Sequence, residues 1–405
     1  KPLLRCHYRK LGESGVSLTS KPSKMKPIIM LALLLGTCTL ALAQQPLDLE
    51  QKVWPAHWIT PPDITGEEYG VYLFRKTFEK PAGSEAFPIH ISADNRYQLY
   101  VNGEYVGKGP ARGDLHHWHY ETYDLAPVLK PGENTLAVRV WNYAEHMPVA
   151  QISFKTSLIV QGGNDAAQVV NTGENGWKVF TDPSHSPLRI SGAQVMGYFV
   201  VGPGEKFEAA KHPWGWEQPG FDDSAWLACQ QRKPGYPARG TFRNGGVPDY
   251  MLVPRSLPAM EKTEQPLGTL RRSGPQVQGE GSFTIPANTK ATLLFDHGTL
   301  TTAYPRIAVE GGDGASIKLI YAESLRDSQK EKGHRDEIEG KEIYGFHDIF
   351  VADGGSREFR TLWWRTFRYV QMEVETGSEP LTFNSLKSDF TAYPFEEKAV
   401  FEAQK

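Results

Sequence analysis

From about residue 50 onward, apolar side chains recur at alternate positions in short runs, and each run is closed by Gly, Pro, Asn or Asp. Neighbouring side chains on a strand point to opposite faces, so a period of two predicts strands, and the closing residues predict turns. The first half of the chain carries the runs VYLFRKTFE (71–79), FPIHISA (87–93), YQLYVN (97–102), NTLAVRVWNY (134–143) and AQISFKTSLIVQ (150–161). The second half carries GSFTIPA, KATLLFDHG, ASIKLIYAES, YGFHDIFVAD, TLWWRTFRYVQMEVET and LTFNSLKSDFTAY. Helical periodicity is confined to short pieces such as DLAPVLK (124–130), where Asp124 suits a cap and Pro127 an early turn. The expected class is therefore all-β, with strands spaced as in a sandwich or jelly roll.

The polar and irregular stretches divide this pattern. Residues 198–230 mix three tryptophans with Phe, Gly and Pro and read as a closing segment packed by its aromatics. RSLPAMEKTEQPLGTLRRSGPQ (255–276) has prolines and charges without alternation and reads as a linker. The expectation is a jelly-roll domain over 50–258 and a second sandwich over 265–395, with Trp363, Phe367, Tyr369 and Val370 supplying alternating faces of its core.

The 405-residue chain starts at Lys1, and a leader-like pattern starts at Met25: Lys26, an apolar run, then Ala41-Leu42-Ala43 before Gln44. The run is shorter than the roughly 20 apolar residues of a membrane span, so 25–43 is expected to be a signal peptide and 1–24 a non-native upstream segment. Export to the periplasm or beyond follows, and LGTC (35–38) leaves open a lipoprotein anchor at Cys38. Cys6 and Cys38 lie outside the mature region, which keeps Cys229 alone and so no internal disulfide. Residues 1–43 hold seven Lys or Arg and one Glu, so their removal takes the formal charge from −3 to −9, which argues against a nucleic-acid partner.

Candidate chemistry is sparse. Asn102-Gly103 between two alternating runs predicts a type I′ hairpin, since both central residues must take positive φ. Around it, Asp94, Asn95, Arg112 and Asp114 lie near strand ends, where carboxylates and amides can hold sugar hydroxyls or calcium, with Tyr97 or Trp118 as a stacking face. HHWHYETY (116–123) places His117 and His119 on one side of a strand, yet no third ligand follows at a zinc spacing, and no metal is expected there. The acidic stretch 321–348, with Glu323, Asp327, Asp336, Glu337 and Glu339, alternates its acids with Lys and Arg as an exposed loop does. VGPGEKF (201–207) and EGGDGAS (310–316) do not sit between a parallel strand and a helix, which excludes a nucleotide loop, and hydrolase elbow and metalloprotease motifs are missing.

Taken in order, WPAHWI (54–59), SADNRYQLYVNGEYVGKGPARGD with HWHYETYDLAPVLKPGENTLAVRVWNY, FDHGTLTTAYPRIAVEGGDGASIKLIYAES and LWWRTFRYVQMEV resemble the front half of a bacterial α-L-rhamnosidase of glycoside hydrolase family seventy-eight. The resemblance covers about 54–395 and implies a galactose-binding-like jelly roll followed by a concanavalin-like sandwich. It further implies a parent enzyme that removes terminal α-L-rhamnose from glycans with inversion, using two carboxyl groups on an (α/α)₆ barrel held about 6.5–9.5 Å apart so that water fits between them. That barrel would follow 396–405, so no catalytic residue is carried onto this chain, and the stretch is expected to be accessory and inactive alone, packed against that barrel. Some family jelly rolls bind rhamnose with calcium, and the resemblance places that role on Asp94, Asn95 and Asp114, with Trp118 and Trp141 as stacking partners. A free-standing carbohydrate-binding protein is the other reading.

Overall fold

The computed structural model describes residues 48–403 apart from 84, 175, 241–247, 275–276 and 278–280, so the expected leader and Cys6 and Cys38 lie outside the described residues. Within them the chain is all-β, arranged as two β-sandwich bodies.

The first body pairs a six-stranded sheet with a seven-stranded one. The six-stranded sheet runs Leu227–Ala228, Lys178–Thr181, Gly70–Glu79, Glu133–Asn142, Arg96–Val101, Glu104–Gly109. The seven-stranded sheet runs Gln230–Pro234, His57–Thr60, Ser157–Gly162, Pro88–Asp94, Trp118–Asp124, Met251–Pro254, Tyr236–Pro237. Alternation on Gly70–Glu79 shows how sequence sets the layers. Tyr72, Phe74 and Phe78 enter the core between the sheets with Ile89, Ile91, Leu99, Val138 and Val160, while Val71 and Leu73 face outward onto Trp141, Trp216 and Trp363. Both faces are covered along its first half, which is why Gly70–Phe74 carries no charged residue. Truncating a fully buried ring such as Phe74 to Ala would cost about 3–5 kcal/mol.

The hairpin forms as expected. Asn102 and Gly103 have φ of 51° and 85°, and strand Arg96–Val101 pairs antiparallel with Glu104–Gly109. DLAPVLK becomes a 3₁₀ turn at Ala126–Val128, where Asp124 Oδ1 accepts from the Phe87 and Ala126 amides at 2.9 and 3.1 Å.

The second body is one eleven-stranded sheet curled around its own core of Leu293, Ile307, Ile317, Leu319, Phe367, Val370, Met372 and Phe383. Its spine is Lys290–Gly311, a 22-residue strand whose register breaks between Asp296 and Thr301. The break bends the strand, so it pairs with Arg365–Glu375 along its first part and with Gly354–Arg360 and Leu381–Phe390 along its second.

Four expectations are corrected. The supposed linker 255–276 contains strands Thr263–Pro266 and Thr269–Ser273, which pair with Leu381–Phe390 and Lys290–Gly311. Their charged, exposed side chains hid them, because edge strands bury little and show no clear alternation. The run 150–161 is a strand only over Ser157–Gly162, its first half folding as a loop. His185–Leu188 and Gly204–Glu208, inside the expected first domain, join the second sheet, the latter in parallel with Phe346–Val351. Of the four expected core residues, Phe367 and Val370 lie in the main core, Tyr369 in a smaller cluster with Leu325 and Ile338, and Trp363 between the two bodies.

The irregular segment does close the first body through its aromatics. Buried Arg75 donates from Nη1 to the Trp216 and Gln218 carbonyls, pairs with Asp223 at 3.0 Å, and lies 5.3 Å from the centre of the Phe221 ring. No helix among the described residues is long and apolar enough to cross a membrane.

Candidate functional site

The residues expected to bind sugar or calcium do not form one surface. Asp94 and Asn95 are wholly buried, and Trp118 and Trp141 are each 3% exposed. Asp94 Oδ1 accepts from Asn95 Nδ2 and Ser153 Oγ, both at 2.7 Å, and Oδ2 accepts from the Phe154 and Lys155 amides at 2.6 and 3.0 Å. The Tyr250 hydroxyl lies 2.9 Å from the same Oδ2. A carboxylate ringed by donors has its lone pairs directed at N–H and O–H groups, so it does not fit as a calcium ligand. Asn95 Oδ1 accepts from the Tyr143 amide at 3.0 Å, completing a lock between a strand end and the loop after residue 142.

Trp118 packs 4.7 Å from Tyr250 in an inner cluster with Trp54 and Trp58, and Trp141 packs with Tyr143, Trp216 and Trp363. Arg112 and Asp114 alone of the set are exposed. Arg112 sits 5.5 Å from the centre of the Trp363 ring, and Asp114 Oδ1 accepts from the His116 and His117 amides at 2.8 and 2.9 Å. Those two amides hold the Asp114 carboxyl below the usual carboxylate range, the larger effect being that of His116. No three His, Cys, Asp or Glu side chains converge to hold a metal among the described residues. The sequence places these groups near strand ends correctly, but not the loop at 147–156 that folds over Asp94.

The charged groups that do converge lie where the two bodies meet. Arg365 grips Asp348 with Nε and Nη2 at 2.8 and 2.6 Å, and both side chains are essentially buried. Asp348 Oδ1 also accepts from the Glu205 amide at 2.8 Å, and Glu205 Oε2 accepts from the Leu362 amide at 3.0 Å. Glu205 Oε1 lies 2.8 Å from His185 Nδ1, and Asp182 Oδ2 lies 2.7 Å from His212 Nδ1. Burial is the largest influence on Asp182 and Glu205 and works against their charged forms, yet their hydrogen bonds and charge contacts together, those with His212 and His185 foremost, outweigh it and hold both carboxyls below their ordinary range. Burial pushes His212 down to about 4, leaving it neutral at pH 7. Nearby, Lys108 lies 4.1 Å from the centre of the Tyr304 ring, with its Nζ 2.8 Å from the hydroxyl, and burial lowers it to about 7. These contacts tie the two bodies together and leave the acids of the junction engaged.

Beside the junction opens a cleft of about 360 Å³ between the segment 195–201 and the wall formed by 321–326, 344–346 and 365–366. The short helix Gly192–Val195, closed by a Ser191–Gln194 capping box, leads into this segment. Arg326 Nη2 donates to the Met196 carbonyl at 2.9 Å and the Val149 amide donates to the Val200 carbonyl at 3.2 Å, fixing the segment at two points. Tyr198 stands at the rim, 85% exposed, and Phe199 packs 5.1 Å from Phe346. Tyr198 falls inside the segment 198–230 expected to be closing structure; its signal in the sequence is an aromatic pair, Tyr198-Phe199, in a stretch without strand alternation. The acidic stretch supplies Glu323 to the same cleft, while Asp336 pairs with Arg368 at 2.6 Å and Glu337 with Lys341 at 3.3 Å.

Residues 84–239 match the family model of the alpha-L-rhamnosidase N-terminal domain. An alpha-L-rhamnosidase of Streptomyces avermitilis is 24% identical over 250 residues, which cover 58% of this chain and 20% of that protein. Among solved structures, the GH78 family rhamnosidase of Bacillus sp. GL1 superposes with a TM-score of 0.68 at 17% identity, covering 87% of this chain and 57% of that one. The alpha-L-rhamnosidase of Aspergillus terreus gives 0.57 at 19%, covering 84% and 36%. The chain thus spans a fifth of the curated relative and little more than half of the Bacillus structure at most. Residues 84–239 are thus similar to the alpha-L-rhamnosidase N-terminal domain, and the chain as a whole shares the fold of the matching part of the GH78 rhamnosidase structure.

Proposed function

We propose that this chain is the accessory β-sandwich region of an exported α-L-rhamnosidase that hydrolyses terminal α-L-rhamnosyl residues with inversion. Hydrolysis then belongs to a catalytic barrel on which this region packs. The observation that carries the accessory role is the state of the buried carboxylates. Inverting hydrolysis needs one protonated and one ionised carboxyl group facing a shared cleft. Here Asp94, Asp182, Glu205, Asp296, Asp348 and Asp389 are each engaged by protein donors or cations. Burial raises Glu121, but its oxygens take the Tyr97 hydroxyl at 2.9 Å, the Ala111 amide at 2.7 Å and Arg255 at 3.2 Å inside the first body.

Export rests on the leader pattern at 25–43, and the rhamnosyl substrate rests on the relatives' own names. The test is to assay an aryl α-L-rhamnoside with this chain and with the full-length gene product. The proposal requires turnover by the second and none above background by the first. Absence of turnover by the full-length product would remove the rhamnosidase assignment, and turnover by this chain would remove the accessory one.

A further inference from the structure

We propose that the cleft between 195–201 and the wall at 321–326 and 365–366 is a binding site for one pyranose unit of a neutral glycan, with Tyr198 as its stacking face. The chemistry of the lining supports this class. A pyranose presents an apolar C–H face and a rim of hydroxyls that both donate and accept, so its site needs an aromatic surface beside mixed polar groups.

Tyr198 is 85% exposed, and it stands beside Phe199 and Phe346 at the cleft. The polar side is supplied by Glu323, which is exposed, and by Ser324 and Thr366. Two groups of this wall are buried without a hydrogen-bond partner in the protein, Ser324 Oγ and Arg365 Nη1. Ser324 is 5% exposed and Arg365 2%, so each leaves hydrogen-bonding capacity unmet at the floor of an open cleft. The volume of about 360 Å³ lies near the lower end of the roughly 300–1,000 Å³ range of small-molecule sites and suits a single sugar ring.

The charges disfavour an anion. Arg365 is matched by Asp348, and the Arg326 guanidinium is engaged with the Lys330 and Met196 carbonyls. Lys332 and Glu323, of opposite charge, both line the cleft. A polypeptide partner would cover a broad apolar face, whereas this lining mixes aromatic, aliphatic and polar groups within a small concavity.

The site would hold glycan without cutting it, and its test does not depend on hydrolysis. Saturation-transfer difference NMR is run on the whole chain with methyl α-L-rhamnopyranoside and, separately, methyl α-D-glucopyranoside. Transfer to the ring protons of either sugar is expected, with at least a fivefold loss of signal in Tyr198→Ala and a smaller loss in Ser324→Ala. Tyr198 is exposed, so Tyr198→Ala should fold as the parent does, checked by an unchanged circular dichroism melt. No transfer from the parent chain, or equal transfer from Tyr198→Ala, overturns the proposal. Because binding is read without turnover, failure here leaves the rhamnosidase assignment to its own assay.

Discussion

Replacing Arg365 by Met removes the guanidinium while keeping an apolar stem of similar length. Asp348, fully buried, then loses both charge-assisted hydrogen bonds and keeps the Glu205 amide, with the Tyr321 hydroxyl beside it. Breaking a buried pair by deleting one partner costs about 3–5 kcal/mol, because the abandoned charge cannot return to water. Deleting both charges, with Arg365→Met and Asp348→Leu together, removes that penalty and leaves chiefly the orphaned Glu205 amide, worth about 1–3 kcal/mol. The double variant should therefore be more stable than either single one. Urea unfolding followed by tryptophan fluorescence measures this, since Trp363 and Trp364 lie next to Arg365 in the chain and report the junction. A single-variant loss below about 1 kcal/mol, or a double-variant loss equal to the sum of the singles, would refute the reasoning that the pair is a buried, coupled clamp.

Asp94→Ala should destabilise the chain by about 3 kcal/mol or more, since it strands several buried donors, and should leave sugar binding unchanged once folding is matched. Gly103→Val should cost about 1–3 kcal/mol in the same urea assay, because φ there is 85° and a Cβ would run into the Gln218 side chain. The chain should also be acid-labile. Asp182 and Glu205 have folded pKa values below their unfolded ones, so their contribution is present above about pH 4.5 and lost as pH falls through the folded values. His212 acts in the same direction: its folded value of about 4 lies below 6.5, so stability is full above pH 6.5 and falls as pH drops toward 4. Thermal melts from pH 7.5 to 4 should show a steady decline that His212→Gln reduces; a flat profile would contradict the buried, neutral state of His212.

Much of the fold is legible in the sequence because two-faced strands write their burial as alternation or continuous apolar runs, as in Gly70–Glu79 and Arg365–Glu375. Asn102-Gly103 is legible because its backbone demand is local. Thr263–Pro266 and Thr269–Ser273 were missed because they expose most of their side chains. The junction was illegible for a different reason. Glu205 reaches Leu362 across 157 residues and its amide reaches Asp348 across 143, and no local pattern encodes such partners. Asp94 was misjudged for the same reason, since its donors arrive from a loop some 60 residues away. Polar residues at strand ends look alike in sequence whether the fold leaves them open or closes over them.

The most direct test of the central claim is rhamnoside hydrolysis by the chain and by the full-length gene product, measured side by side with the same aryl α-L-rhamnoside. The account predicts release of L-rhamnose by the full-length product, with the anomeric configuration inverted, and none by the chain alone. Turnover by the chain alone at roughly 1 s⁻¹ or faster, within the ordinary range of enzymes, would contradict it.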